Sequence, residues 1–119
     1  MPYVDGFVIP VPKNKVEDYL AMSARCAVIW RDHGALEFRE NVADDVKTGQ
    51  HTSFPQSVKL QEDETVIFSW IIFPSRAARD DINNKVMQDP RMADMMKPEN
   101  MPFDGKRLIY GGFEMKIDM

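Results

Sequence analysis

The sequence predicts an α+β fold with the element order βαββαβ, an antiparallel four-stranded sheet carrying two helices on one face. Three observations predict it. The first is the stretch Thr65-Val-Ile-Phe-Ser-Trp-Ile-Ile-Phe73, in which seven of nine residues are large and apolar and none is charged. β-branched and aromatic residues at that density suit a strand buried on both faces. The second is a similar stretch, Tyr3 to Val11, apolar apart from Asp5 and Gly6. The third is that a segment of helical periodicity follows each of them. In the ferredoxin-like form of this order the first and third strands are central, and here those two are the most apolar.

Taken in order, the first strand ends at Pro10 and Pro12, which lack a ladder donor. Asn14 and Glu17 have the spacing of a capping box. Val16, Tyr19, Leu20, Ser23, Cys26, Ala27 and Trp30 then form one stripe of a helix roughly 28 Å long, which His33-Gly34 stops. Ala35 to Ala43 alternates, with Leu36, Phe38 and Val42 on one face and Glu37, Arg39 and Asn41 on the other. Residues 44–63 are rich in turn formers; they are long for a plain connection, and an extra strand is expected at Ser57-Val-Lys-Leu60. In the third strand Val66, Phe68, Trp70 and Ile72 share a face. Trp70, mid-strand and far from any charge in sequence, is expected to be deeply buried. Ser75 caps a second helix with Ala78, Ile82 and Val86 on its core side, and Asp89-Pro90 ends it. Residues 97–106 read as a loop and Arg107 to Asp118 as the fourth strand, where Gly111-Gly112 marks a bulge or a close backbone approach.

Length and composition bound the rest. A chain of 119 residues is read as one domain, residues 1–119, able to bury a core without a disulfide or structural metal. Nineteen acidic against fifteen basic side chains give a net charge of −4, which argues against a non-specific nucleic-acid binder. The single cysteine, the absence of a signal-peptide pattern and the short apolar runs point to a cytoplasmic protein with no membrane contact. Two helices cover only one side of a sheet whose other side is apolar too. The second side is expected to pack against another copy, as a two-fold homodimer.

Several longer stretches carry a resemblance: Tyr3-Val-Asp-Gly-Phe-Val, Trp30-Arg-Asp-His-Gly-Ala-Leu-Glu37, Phe73-Pro-Ser-Arg76, and Met101-Pro-Phe-Asp-Gly-Lys-Arg-Leu-Ile-Tyr-Gly-Gly-Phe113. Together they resemble a bacterial family of unknown function, number 1428, the YbaA-like proteins, over nearly the whole chain. The resemblance implies the dimeric α+β-barrel superfamily, which includes cofactor-free monooxygenases, haem-degrading enzymes, isomerases and stress-responsive proteins. It supplies no catalytic residues.

The candidate site residues are each open to a second reading. Asp5, an acid in an apolar central strand, is a candidate acid or base, or an acceptor for a neighbour such as Tyr110. His33 is a candidate base or haem ligand, or a helix C-terminal residue placed by the dipole. Trp30, Trp70, Tyr110 and Phe103 with Met92, Met95, Met96 and Met101 line a cavity or fill a core or dimer interface. Arg76 holds an anion at the second helix start or is solvated. Glu37, Arg39 and Asn41 read as the polar end of a pocket or a wet strand face. The two histidines and one cysteine lie well apart, so no metal site is expected, and there is no nucleotide-binding loop. No cofactor is expected, and any catalysis would run cofactor-free or with a haem or flavin supplied from outside. The functions that fit are binding or conversion of a small apolar or aromatic molecule between sheet and helices, monooxygenase- or isomerase-like, or a ligand-binding or stress-response dimer with no turnover.

Overall fold

A computed structural model describes residues 1–119. Four strands, β1 (Tyr3–Pro12), β2 (Glu37–Val42), β3 (Glu64–Phe73) and β4 (Ile109–Glu114), form one antiparallel sheet in the order β2-β3-β1-β4. Helix α1 (Val16–Asp32) follows β1, and α3 (Arg76–Gln88) follows β3; a short helix, α2 (Phe54–Ser57), lies in the β2–β3 connection. This is the expected ferredoxin-like α+β arrangement, with the two most apolar strands in the middle. No helix is long and apolar enough to cross a membrane.

Register assigns every side chain to a face. Asp5 stands opposite Ile71 and Gly112, Phe7 opposite Ser69 and Tyr110, and Ser69 opposite Glu40. These residues share the helix-facing side with Ile9, Val11, Ile67 and Phe73. The core beneath the helices has two clusters. One joins Ile29, Ile71, Phe73, Ile82 and Val86 with Met92 and Met95 from the segment after α3; the other joins Ile9, Val11, Tyr19 and Ile67. Between Ile67 and Ile71 the β3 position facing the helices is Ser69, whose small side chain leaves the level between the clusters thinly filled.

The opposite side of the sheet is covered at one end only, where Phe54 of α2 lies 5.7 Å from the Phe68 ring and Val66 is buried; the rest is bare in the single chain. Phe68 is 43% exposed, Ile109 45% and Phe113 61%. Trp70 lies on this side, its ring 5.6 Å from that of Phe68, and is half-buried rather than deeply buried. The expectation of deep burial took a central strand to be covered on both sides, whereas one chain covers only one in full.

Three local expectations are corrected, and at Gly111-Gly112 one of the two expected readings is decided. No strand forms at residues 57–60. Ser53 accepts a hydrogen bond from the Gln56 N–H, Pro55 sits in the first turn, and the segment closes as α2, burying Pro55 and Val58. Asn14 does not cap α1: Lys13–Lys15 form a 3₁₀ turn that runs directly into the helix. β4 is shorter than residues 107–118, continuing past Glu114 only by the Met115 N–H bond to the Pro2 carbonyl. Gly111-Gly112 is no bulge, since both keep register with β1; it is a close approach, because a Cβ on Gly112 would run into the Arg79 guanidinium and the Tyr3 hydroxyl. The other ends follow expectation: Gly34 ends α1 at φ 114°, and Ser75 caps α3 by accepting from the Ala78 N–H.

Candidate functional site

A cavity of about 580 Å³ opens between α1, α3 and the helix-facing side of the sheet. Its walls are mostly apolar, with Phe7 and Ile9 from β1, Met22, Cys26 and Trp30 from α1, Phe38 from β2, and Ile71 from β3. Met87 of α3, Met96, Phe103 and Leu108 of the long α3–β4 connection, and Tyr110 of β4 complete it. That size and lining suit a small organic molecule.

Two polar groups interrupt the walls. The first is built on Glu40 of β2. The Tyr19 hydroxyl donates to Glu40 Oε2 at 2.9 Å and the Ser23 hydroxyl to Oε1 at 2.9 Å. Tyr19 and Ser23 lie four apart on α1, so one face of the helix presents both hydroxyls to one carboxylate. Burial pushes the Glu40 carboxyl above its usual range, and the two hydroxyls pull it only part of the way back. Burial, and then the Glu40 charge, also push the Tyr19 hydroxyl up. Burial likewise raises the Cys26 thiol, which keeps it protonated and unreactive.

The second group is built on Asp5. Arg79 Nε donates to Asp5 Oδ1 at 3.1 Å, and Asn83 Nδ2 to Oδ2 at 3.4 Å. Asn83 in turn accepts from Trp30 Nε1 at 3.0 Å. The Arg79 guanidinium lies 4.9 Å from the Tyr3 ring centroid, in the space that Gly112 leaves open. Asp5 is thus a buried carboxylate with a cation against it, and its contacts tie α3 to β1.

Of the residues singled out in the sequence, Asp5, Trp30, Tyr110, Met96 and Phe103 border this cavity, and Trp70 meets it only at the β3 strand, its ring lying on the other side of the sheet beside Phe68. Tyr110 is 74% exposed and stacks on Phe7 at 6.1 Å rather than bonding to Asp5. His33 stands outside it at the end of α1, with Nε2 paired to Asp89 Oδ2 at 2.8 Å; Asp89 is also held by Arg91, which reaches Asp32. Met101 belongs to a separate, more polar recess of about 400 Å³ beside Lys15, Asp18 and Arg25. Arg76 is exposed at the first turn of α3, and the arginine that enters the sheet–helix space is Arg79, one turn later. Glu37, Arg39 and Asn41 lie on the uncovered side. No group of three or more His, Cys, Asp or Glu comes together as a metal site.

Glu40 was not among the expected residues. Its signal was present: period two puts it between Phe38 and Val42, on the apolar face of β2.

Comparison with known proteins places this geometry in a family. The chain is 51% identical to the uncharacterized protein YbaA of Escherichia coli (strain K12) over 118 residues, 99% of each chain, and equally so to the YbaA of Shigella flexneri. Among solved structures it is similar to a dimeric ferredoxin-like protein of unknown function from Jannaschia sp. CCS1, with TM-score 0.51, 13% identity, and 95% of this chain and 99% of that one covered. A dimeric ferredoxin-like protein from an uncultured marine organism matches with TM-score 0.50 and 12% identity, covering 95% of this chain and 92% of that one. At such identities these structures speak for the fold alone. The family model for a protein of unknown function, DUF1428, matches residues 2–105, and the chain belongs to that family.

Proposed function

We propose that the protein is a homodimer that binds a compact, largely apolar or aromatic molecule in the cavity between α1, α3 and the sheet. The observation that carries the binding reading is the 580 Å³ cavity itself, apolar over most of its wall and carrying a half-buried carboxylate group at one level. A core that merely packed would fill that volume, since protein interiors leave few voids larger than a water molecule. Met22, Met87 and Met96 suit a wall that adapts to the shape of a ligand. The dimer is supported by the uncovered apolar side of the sheet and by the two dimeric proteins that share the fold.

The same contacts decide roles within the site. Asp5 has both oxygens engaged and its charge balanced, and His33 lies outside the cavity, so the reading gives neither a proton-transfer role. Trp30, Phe103, Tyr110 and Met96 are its ligand-contacting walls.

The test is a nuclear magnetic resonance titration of ¹⁵N-labelled protein with 1-naphthol and with 1-methoxynaphthalene. The expected outcome is shifts in the Trp30 indole N–H and the amides of Ser69 and Ile71, on addition of at least one of the two. Shifts absent with both probes, or confined to Phe68 and Phe113 on the other side of the sheet, would overturn the reading.

A further inference from the structure

We propose that the cavity selects ligands bearing a neutral hydroxyl donor, a phenol or an enol, and that Glu40 is the group that receives it. This rests on the binding reading above and names its ligand class. The two carboxylates of the cavity are unlike. Asp5 is matched by Arg79 and by Asn83, whose own oxygen is taken by Trp30. Glu40 has no cationic side chain paired with it. Its donors are two neutral hydroxyls, one to each oxygen.

A carboxylate offers about four acceptor positions, so roughly two remain open on Glu40. The group lies among the residues that line the cavity, with Phe7, Trp30 and Phe38 as its apolar neighbours there. A ligand that fills this space shields those positions from solvent. Unless it brings a donor, a carboxylate is left short of hydrogen bonds in an apolar setting, which is costly. A phenol or enol supplies one donor on an otherwise apolar frame and leaves no polar atom of its own unmatched. An ether or hydrocarbon supplies none. An ammonium brings three donors and a charge that must be desolvated, against one carboxylate whose lone pairs are already half used. A carboxylate ligand meets a like charge.

Isothermal titration at neutral pH with 1-naphthol, 1-methoxynaphthalene and 1-naphthylmethylamine tests this. The wild-type protein is expected to bind 1-naphthol about tenfold or more tightly than the ether, the usual scale of a hydrogen bond to a charged group. It is expected to bind the amine more weakly than the naphthol. Glu40→Gln, checked for folding by circular dichroism, should bring naphthol and ether to within about threefold of each other by weakening the naphthol. Equal binding of naphthol and ether by the wild-type protein overturns the proposal and leaves the binding reading standing. Tightest binding of the amine overturns it in favour of a cation site, and no binding of any of the three overturns both. The wild-type comparison needs no variant, so a Glu40→Gln protein that does not fold leaves the test intact.

Discussion

A carboxylate on the apolar face of an outer strand is a stability liability, and its sign with pH can be worked out. Burial raises the folded-state pKa of Glu40 above its value in the unfolded chain, about 4.3 for a free glutamate. Between the two values the folded protein binds more protons than the unfolded one, so stability falls as pH rises through that window. The titratable side chains facing Glu40 are Tyr19 and Cys26, both pushed upward and so neutral throughout it. Glu40→Gln keeps one oxygen to accept from one of the two hydroxyls, turns an NH2 toward the other, which can accept from it, and has no charge to desolvate. Urea unfolding should therefore find the stability of the variant relative to the parent rising as pH rises from acid toward neutral, with the gain fading in acid as the parent protonates. A difference that does not change with pH would mean that Glu40 does not titrate from a buried setting. At this scale the sequence was half legible. Asp5 stood out because nothing else in its strand is charged. Glu40 did not, because β2 alternates charges on its other face and a further charge reads as solvent-facing. Its explanation lies on another element, in Tyr19 and Ser23, which interrupt the apolar stripe of α1 at a level where the sheet, at Ser69 and Glu40, is also polar.

At the scale of elements, what the chain shows by periodicity is what the structure contains. The strands and long helices carry their own pattern of two or 3.6, and their packing follows it. The errors fell where local hydrogen bonding decides instead. Residues 53–57 became a helix through one serine cap and a proline, and residues 13–15 a 3₁₀ turn, outcomes worth about a kilocalorie per mole each that leave no periodic trace. The connection from α3 to β4 is the extreme case. It consists of two 3₁₀ turns, Pro90–Met92 and Pro98–Asn100, joined by bends, yet Met92 and Met95 are buried in the core and Met96 and Phe103 line the cavity. It is pinned at its far end by Arg107, whose Nη1 donates to Glu64 Oε1 at 2.7 Å. Few of its backbone groups bond to a neighbouring element, so it should open without disturbing the sheet. Hydrogen exchange is expected to be faster at residues 93–104 than at residues 66–72 of β3, and to slow on saturation with 1-naphthol. Exchange in 93–104 as slow as in β3 would show the cavity wall to be as rigid as the sheet.

For the whole molecule the arithmetic of faces decides. Two long helices suffice for one side of a four-stranded sheet, and the other side presents Phe68 and Trp70 on β3 and Ile109 and Phe113 on β4, bridged by Val4 and Val8 of the β1 strand between them. Soluble monomers seldom leave so continuous an apolar patch in water. Sheet-to-sheet pairing of two copies would cover it and would leave the cavities on the outer, helix-bearing sides, so that assembly and ligand binding would use opposite faces of the same sheet. That separation makes the two properties independently testable. Phe113 suits the test because it is mostly exposed in the single chain, so a charge there costs the monomer little; in a paired sheet the same charge would be buried without a partner. The parent protein should sediment at twice 13.7 kDa at micromolar concentration, and Phe113→Glu should shift it toward 13.7 kDa. The variant should keep its circular dichroism, and the Trp30 indole N–H should still respond to 1-naphthol. A parent that sediments as a monomer at every concentration would rule out the dimer. A dimer untouched by Phe113→Glu would place its interface elsewhere than on the uncovered sheet.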